Sequence, residues 1–96
     1  MPKGYVIGRV TVNDPAIYAE YAKLSTEAIR AYGGKPIVRG GQHTAVQGDA
    51  RPRNVVLEFE SYARALEFYN SPEYSAAKAI RVPVSEGEFV VVEGAE

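Results

Sequence analysis

The chain has no cysteine and no tryptophan, and only one histidine and one methionine among its 96 residues. Without cysteine there is no disulfide, no thiolate metal site and no cysteine nucleophile. Such a composition suits a reducing cytoplasm, which is where we expect the protein. The single histidine, His43, has no neighbouring ligand at metal spacing, so no metal is expected. No nucleophile-elbow sequence surrounds any serine, which argues against a serine triad. An excess of charge is lacking too. Eleven basic and twelve acidic side chains leave a net charge of -1, no bulk reason to bind nucleic acid or an anionic membrane. No apolar run approaches the roughly 20 residues of a membrane span, and MPKGYVIGRVTV reaches Arg9 before any run long enough for a signal peptide. The pair Gly33-Gly34 ends a helix rather than opening one, the wrong context for a dinucleotide phosphate. We expect no cofactor.

What is present is an ordinary globular composition of a size that makes one domain over residues 1–96. Tyr5 to Val12 alternates as a strand, with Val6, Val10 and Val12 on one face and Tyr5, Ile7, Arg9 and Thr11 on the other. Asn13-Asp14-Pro15 turns into a helix, with Asp14 as cap and Pro15 at the first helical position. The spacing of Ile17, Tyr21, Leu24, Ala28 and Ala31 predicts its buried stripe, and Gly33-Gly34 its end. Lys35 to Gly40 reads as a short strand. The pair Gly40-Gly41 predicts a bend through which the strand continues to Thr44 and Val46. Gly48 to Asn54 is a polar turn into the strand Val55 to Glu60.

Ser61 then offers a cap to a helix over Tyr62 to Tyr69. Ser71-Pro72-Glu73 restarts it, supplying a cap, a proline for the first turn and an acid near the positive dipole end. This second helix runs to about Arg81, and Glu88 to Glu93 forms a last strand. Strand, helix, strand, strand, helix, strand is the ferredoxin-like βαββαβ order of an α+β fold. It implies a four-stranded antiparallel sheet with helices on one face. The first and last strands carry apolar side chains on both faces, and the helices cover one. A second copy would bury the other most economically, so a homodimer is expected. RNA-recognition domains share the topology but stack bases on aromatics of the central strands. Here VVLEFE puts acids where a phosphate would come, and the first strand offers only Tyr5.

Two groups of residues are candidates for chemistry. Arg9, Arg39, Glu58, Arg81 and Glu93 stand among apolar strand and helix positions. Arg39 and Glu58 fall on neighbouring antiparallel strands, so a pair between them is plausible. These charges are either partly exposed ion pairs of small energetic weight or a polar wall in the cleft between sheet and helices. Tyr21, Tyr69 and Tyr74 lie on helical stripes, as core residues or as ligand contacts.

Gly4-Tyr5, Asp14-Pro15 with Tyr18 and Tyr21, and Tyr32-Gly33-Gly34 form one set of linked motifs. Val38-Arg39-Gly40-Gly41, Glu58-Phe59, Ala65, Tyr69-Asn70-Ser71-Pro72-Glu73-Tyr74, Arg81 and Glu93-Gly94 complete it. In this order and spacing the chain resembles the small bacterial family of domain of unknown function 1330. The resemblance implies a ferredoxin-like protomer pairing into a dimeric α+β barrel. That architecture includes cofactor-independent monooxygenases, chlorite-dismutase-like haem proteins and muconolactone isomerases. It transfers no catalytic residue. Three readings stay open: a dimer binding a small organic molecule in the cleft, an enzyme of the monooxygenase or isomerase kind, and a structural dimer with no ligand. Arg39, Glu58, Tyr21, Tyr69, Tyr74 and Arg81 are the ligand-binding candidates.

Overall fold

The computed structural model describes residues 2–95. In chain order the elements are β1 (Gly4–Val12), α1 (Pro15–Ala31), β2 (Lys35–Arg39), β3 (Arg53–Phe59), α2 (Tyr62–Tyr69), α3 (Pro72–Arg81) and β4 (Ser85–Glu93). A short 3-10 turn, Val82–Val84, leads into β4. The strands form one antiparallel sheet in the order β2-β3-β1-β4, the ferredoxin-like arrangement the element order implies.

Local chemistry sets the helix ends. The Asp14 carboxylate accepts from the Ile17 N–H at 3.2 Å, and Pro15 follows with its φ already helical. The chain leaves α1 through Gly33, at φ 74°, a left-handed turn that a side chain would strain. Between α2 and α3 the Ser71 hydroxyl works both ways. It donates to the Phe68 carbonyl at 2.7 Å and accepts from the Tyr74 N–H at 3.1 Å. Pro72 has no N–H to continue the earlier helix, so the predicted restart is a real break.

The sheet buries Val6, Val10, Leu57 and Phe59 towards the helices. α2 answers with Ala65 and Phe68, and the Phe68 ring lies 4.9 Å from Phe59 and 4.8 Å from Tyr74. Full burial of one such ring stabilises by about 1.5–3 kcal/mol. The opposite sheet face carries Tyr5 and Ile7 of β1, Val56 of β3, Val38 of β2, and Val90 and Val92 of β4. No helix covers it, and Val38, Val90 and Val92 stand 42, 52 and 41% exposed.

Four expectations are corrected. The period of α1 is right but its stripe is rotated: Tyr18, Tyr21, Ser25, Ala28 and Ile29 are buried, while Ile17 and Leu24 are exposed and Ala31 faces solvent. Tyr18 turns inward to lie 5.6 Å from the Arg53 guanidinium and 5.0 Å from the Tyr21 ring, contacts that helical spacing alone does not reveal. β2 ends at Arg39, and Thr44 and Val46 lie in an exposed loop rather than a strand. The bulge falls between Pro36 and Val38, ahead of the glycine pair. β3 begins at Arg53 and β4 at Ser85, each earlier than the runs of apolar residues indicate, because the ladder continues through Arg53–Asn54 and Ser85–Gly87.

Candidate functional site

α1 rests chiefly on α3 rather than on the sheet. Between its inner face and strands β1 and β3 this leaves a cavity of about 40 Å³. Val6, Val55 and Leu57 form the floor, Tyr18, Tyr21, Ser25 and Thr26 the roof, and Tyr74 and Phe89 close one end. Gly8 is part of the floor because a Cβ there would stand 2.5 Å from the Phe89 ring. Arg39 and Arg53 complete the wall, and among the described residues no carboxylate does.

Strand alternation brings Arg53 to the helix side, in line with Val55 and Leu57. Its guanidinium lies 5.6 Å from the Tyr18 ring centre, and its Nε–H is buried without an acceptor among the described residues. Arg39 reaches across from β2, where its Nη2 donates to Thr26 Oγ1 on α1 at 3.0 Å. This is the one side-chain hydrogen bond recorded between β2 and α1 among the described residues. Open grooves of about 400 and 390 Å³ flank it, and Thr26 and Arg39 line both.

At the closed end the Tyr21 and Tyr74 hydroxyls sit 2.9 Å apart. Burial, and then each other's proximity, pushes the Tyr21 phenol well above its ordinary pKa. Burial likewise raises Tyr74, although the Tyr21 hydrogen bond and the Arg81 charge work against that rise. Behind these rings Arg81 is only 6% exposed. It stacks 4.0 Å from the Phe89 ring centre and 5.7 Å from that of Tyr21, and donates to the Tyr69 hydroxyl at 3.4 Å. Burial opposes its charge, while the phenol oxygens of Tyr74, Tyr21 and Tyr69 favour it, and the balance lies above the ordinary arginine value. No ion pair among the described residues involves Arg81, whose Nε–H also lacks an acceptor there.

Of the six candidate residues, Arg39, Tyr21 and Tyr74 meet at the cavity, and Tyr69 and Arg81 back its closed end. Glu58 does not join them. It points from the helix-free face, where it accepts from the Tyr5 hydroxyl at 3.3 Å. The plausible Arg39–Glu58 pair is therefore not formed: Arg39 pairs with Val55 in the ladder and Glu58 with Lys35. The bulge between Pro36 and Val38 is the cause. One extra residue moves every later side chain of β2 to the other face, which takes Arg39 to the helix side. Composition and spacing also pass over Arg53, reading it as part of a polar turn. The alternation Arg53, Val55, Leu57 was the available signal.

On the other face, Arg51 forks onto Glu88 at 2.9 and 2.7 Å and donates to Thr11 at 2.9 Å. Arg9 donates to the Asp49 carbonyl at 3.1 Å, so these contacts tie the β2–β3 loop to the sheet. Among the described residues no three His, Asp or Glu side chains are grouped to hold a metal ion, and no helix is long and apolar enough to cross a membrane.

The sheet order, the single helical layer and the cleft beneath α1 define a ferredoxin-like α+β protein with a polar-ended internal cavity. Residues 3–95 match the family described as domain of unknown function (DUF1330), and the chain belongs to that family. No curated protein matches it. Among solved structures it is similar to a protein of unknown function from Rhodopseudomonas palustris, at TM-score 0.75 and 17% identity over 99% of this chain and 84% of that one. A dimeric ferredoxin-like protein of unknown function from Thermobifida fusca gives TM-score 0.65 and 17% identity, over 99 and 92%. SnoaB, a cofactor-independent oxygenase from Streptomyces nogalater, gives 0.63 and 11% over 100 and 96%. At these identities the likeness establishes the fold.

Proposed function

We propose that residues 1–96 act as one cytoplasmic domain, paired as a homodimer, that binds a small organic molecule beneath α1. The observation that carries this is the gap itself: apolar walls, paired hydroxyls at one end and arginines along the side. As it stands the cavity is small. Its volume of about 40 Å³ suits roughly three waters at about 10–15 Å³ each, well short of the ~150 Å³ that accepts a benzene ring. A ring enters only when α1 and β2 part at the Arg39–Thr26 hydrogen bond, whose net worth of about 0.5–1.5 kcal/mol is a small barrier to opening. The test is a titration of methyl-labelled protein with benzyl alcohol, followed by NMR. Shifts concentrated on the methyls of Val6, Val55 and Leu57 support the reading, and shifts scattered over the surface, or none, refute it.

The dimer rests on the uncovered apolar face carrying Ile7, Val38, Val56, Val90 and Val92. Two protomers meeting there would build the dimeric α+β barrel. SnoaB is a cofactor-independent oxygenase, so an enzyme is the second reading. The Tyr21–Tyr74 hydroxyl pair backed by Arg81 favours it, since hydroxyl donors of that kind can hold a developing enolate oxygen.

A further inference from the structure

We infer that the molecule taken beneath α1 is a small organic anion, such as an arene or short alkyl carboxylate, with Arg53 and Arg39 as its charge-binding residues. This rests on the cleft reading above and goes further by naming the chemistry of the occupant. Among the described residues two guanidinium groups line the cavity and no carboxylate does, so this lining carries positive charge with no counter-charge of its own. Neither arginine belongs to an ion pair among the described residues.

Their hydrogen bonding points the same way. The Arg53 Nε–H is buried and meets no acceptor among the described residues. A buried donor left unmet is costly, and one on a side chain that lines a cavity gains from an acceptor brought from outside the chain. Arg39 spends its recorded side-chain hydrogen bond on a neutral hydroxyl, Thr26 Oγ1, at an exposed position. A carboxylate adds charge–charge attraction and can take two N–H groups of the guanidinium fork, where the hydroxyl takes one, so an incoming anion displaces the Arg39–Thr26 contact and opens the cleft by the same act. The planar fork of arginine matches a carboxylate edge to edge, which an ammonium does not. A dianion fits less well. Glu27 lines one of the outer grooves beside Arg39, and the floor of Val6, Val55 and Leu57 solvates no second charge.

The probes are benzoate, its neutral isostere benzamide, and the cation benzamidine, titrated into the full chain while the Val55 and Leu57 methyls are followed by NMR. Benzoate is expected to bind about tenfold or more tighter than benzamide, the scale of one charge-assisted hydrogen bond. Benzamidine is expected not to bind. Arg53→Met and Arg39→Met should each lower the preference for benzoate over benzamide, measured in the same variant, by about tenfold, and Arg53→Lys should recover only part of the loss. Should Arg53→Met fail to fold, the exposed Arg39→Met still decides the matter. Equal binding of benzoate and benzamide leaves the cleft reading standing and overturns the anion. Benzoate binding that neither methionine variant weakens places the anion elsewhere and also overturns it. If benzyl alcohol and benzoate both fail to shift these methyls, the cleft reading and the inference fall together.

Discussion

Alkaline pH should unfold this protein through Tyr21 and Tyr74. Both phenols are buried, 8 and 2% exposed, and both pKa values lie above the ordinary tyrosine value of about 10. A raised native pKa means that the folded chain keeps its phenolic proton where the unfolded chain gives it up. The stability this contributes is fully present below about pH 10 and is lost as pH rises past it. Each phenol held neutral lowers the unfolding free energy by up to about 1.36 kcal/mol per pH unit in that window; Tyr21 carries this in full and Tyr74 adds to it in the same direction. A domain of this size has about 5–15 kcal/mol in total, so two pH units remove a large share of it. Urea unfolding followed by circular dichroism from pH 8 to 11.5 gives the slope. Absorbance of tyrosinate in the folded protein reports the phenols that do ionise. Tyr21→Phe removes one group from both states and should reduce the slope by about 1.4 kcal/mol per unit. Stability that stays flat between pH 9.5 and 11.5 would mean that water reaches these hydroxyls through an open cleft, and the burial argument would fail.

Other consequences are simpler to read. Glu58→Gln should cost under about 1 kcal/mol, and its effect should add to that of Arg39→Met within about 0.3–0.5 kcal/mol, because the two side chains occupy opposite faces. A coupling above 1 kcal/mol in that double-mutant cycle would contradict the bulged register of β2. Ser71→Ala should destabilise by about 1–2 kcal/mol in denaturant unfolding, since it removes a helix cap and a buried hydrogen bond together. No measurable change would mean that the break between α2 and α3 is held by Pro72 alone. Val90→Glu puts a charge in the middle of the helix-free face and should turn the homodimer into folded monomers by sedimentation at micromolar concentration. A wild-type species of only 10.4 kDa would end the dimer proposal at once.

The elements were legible because their signals are local. Asp14-Pro15, Ser61 and Ser71-Pro72 carry the caps and proline positions that start α1, α2 and α3. A side chain accepting an N–H three residues ahead needs no tertiary help, and proline cannot continue a helix wherever it is placed. Alternation placed Val6 and Val10 together on one face of β1. Element order then left the split βαβ topology as the natural solution, and the linked motifs pointed to the same family.

Faces and partners needed the folded chain. Which side of α1 is buried was settled by distant partners: Tyr18 lies against Arg53 of β3, and Tyr21 meets Tyr74, fifty-three residues away. The side taken by Arg39 depended on one extra residue in β2, and a bulge leaves no mark in composition. The cavity depended on α1 leaning on α3 in place of the sheet, a balance of packing between elements distant in sequence. Residue types and their spacing by themselves determined where the helices start and the order of the elements, because caps, prolines and alternation act between near neighbours, whereas the ladder joins residues as distant as Gly4 and Phe59. Only tertiary structure brought Arg39, Arg53, Tyr21 and Tyr74 to one cavity and sent Glu58 to the opposite face, because strand register and helix rotation are settled by contacts between residues far apart in the chain.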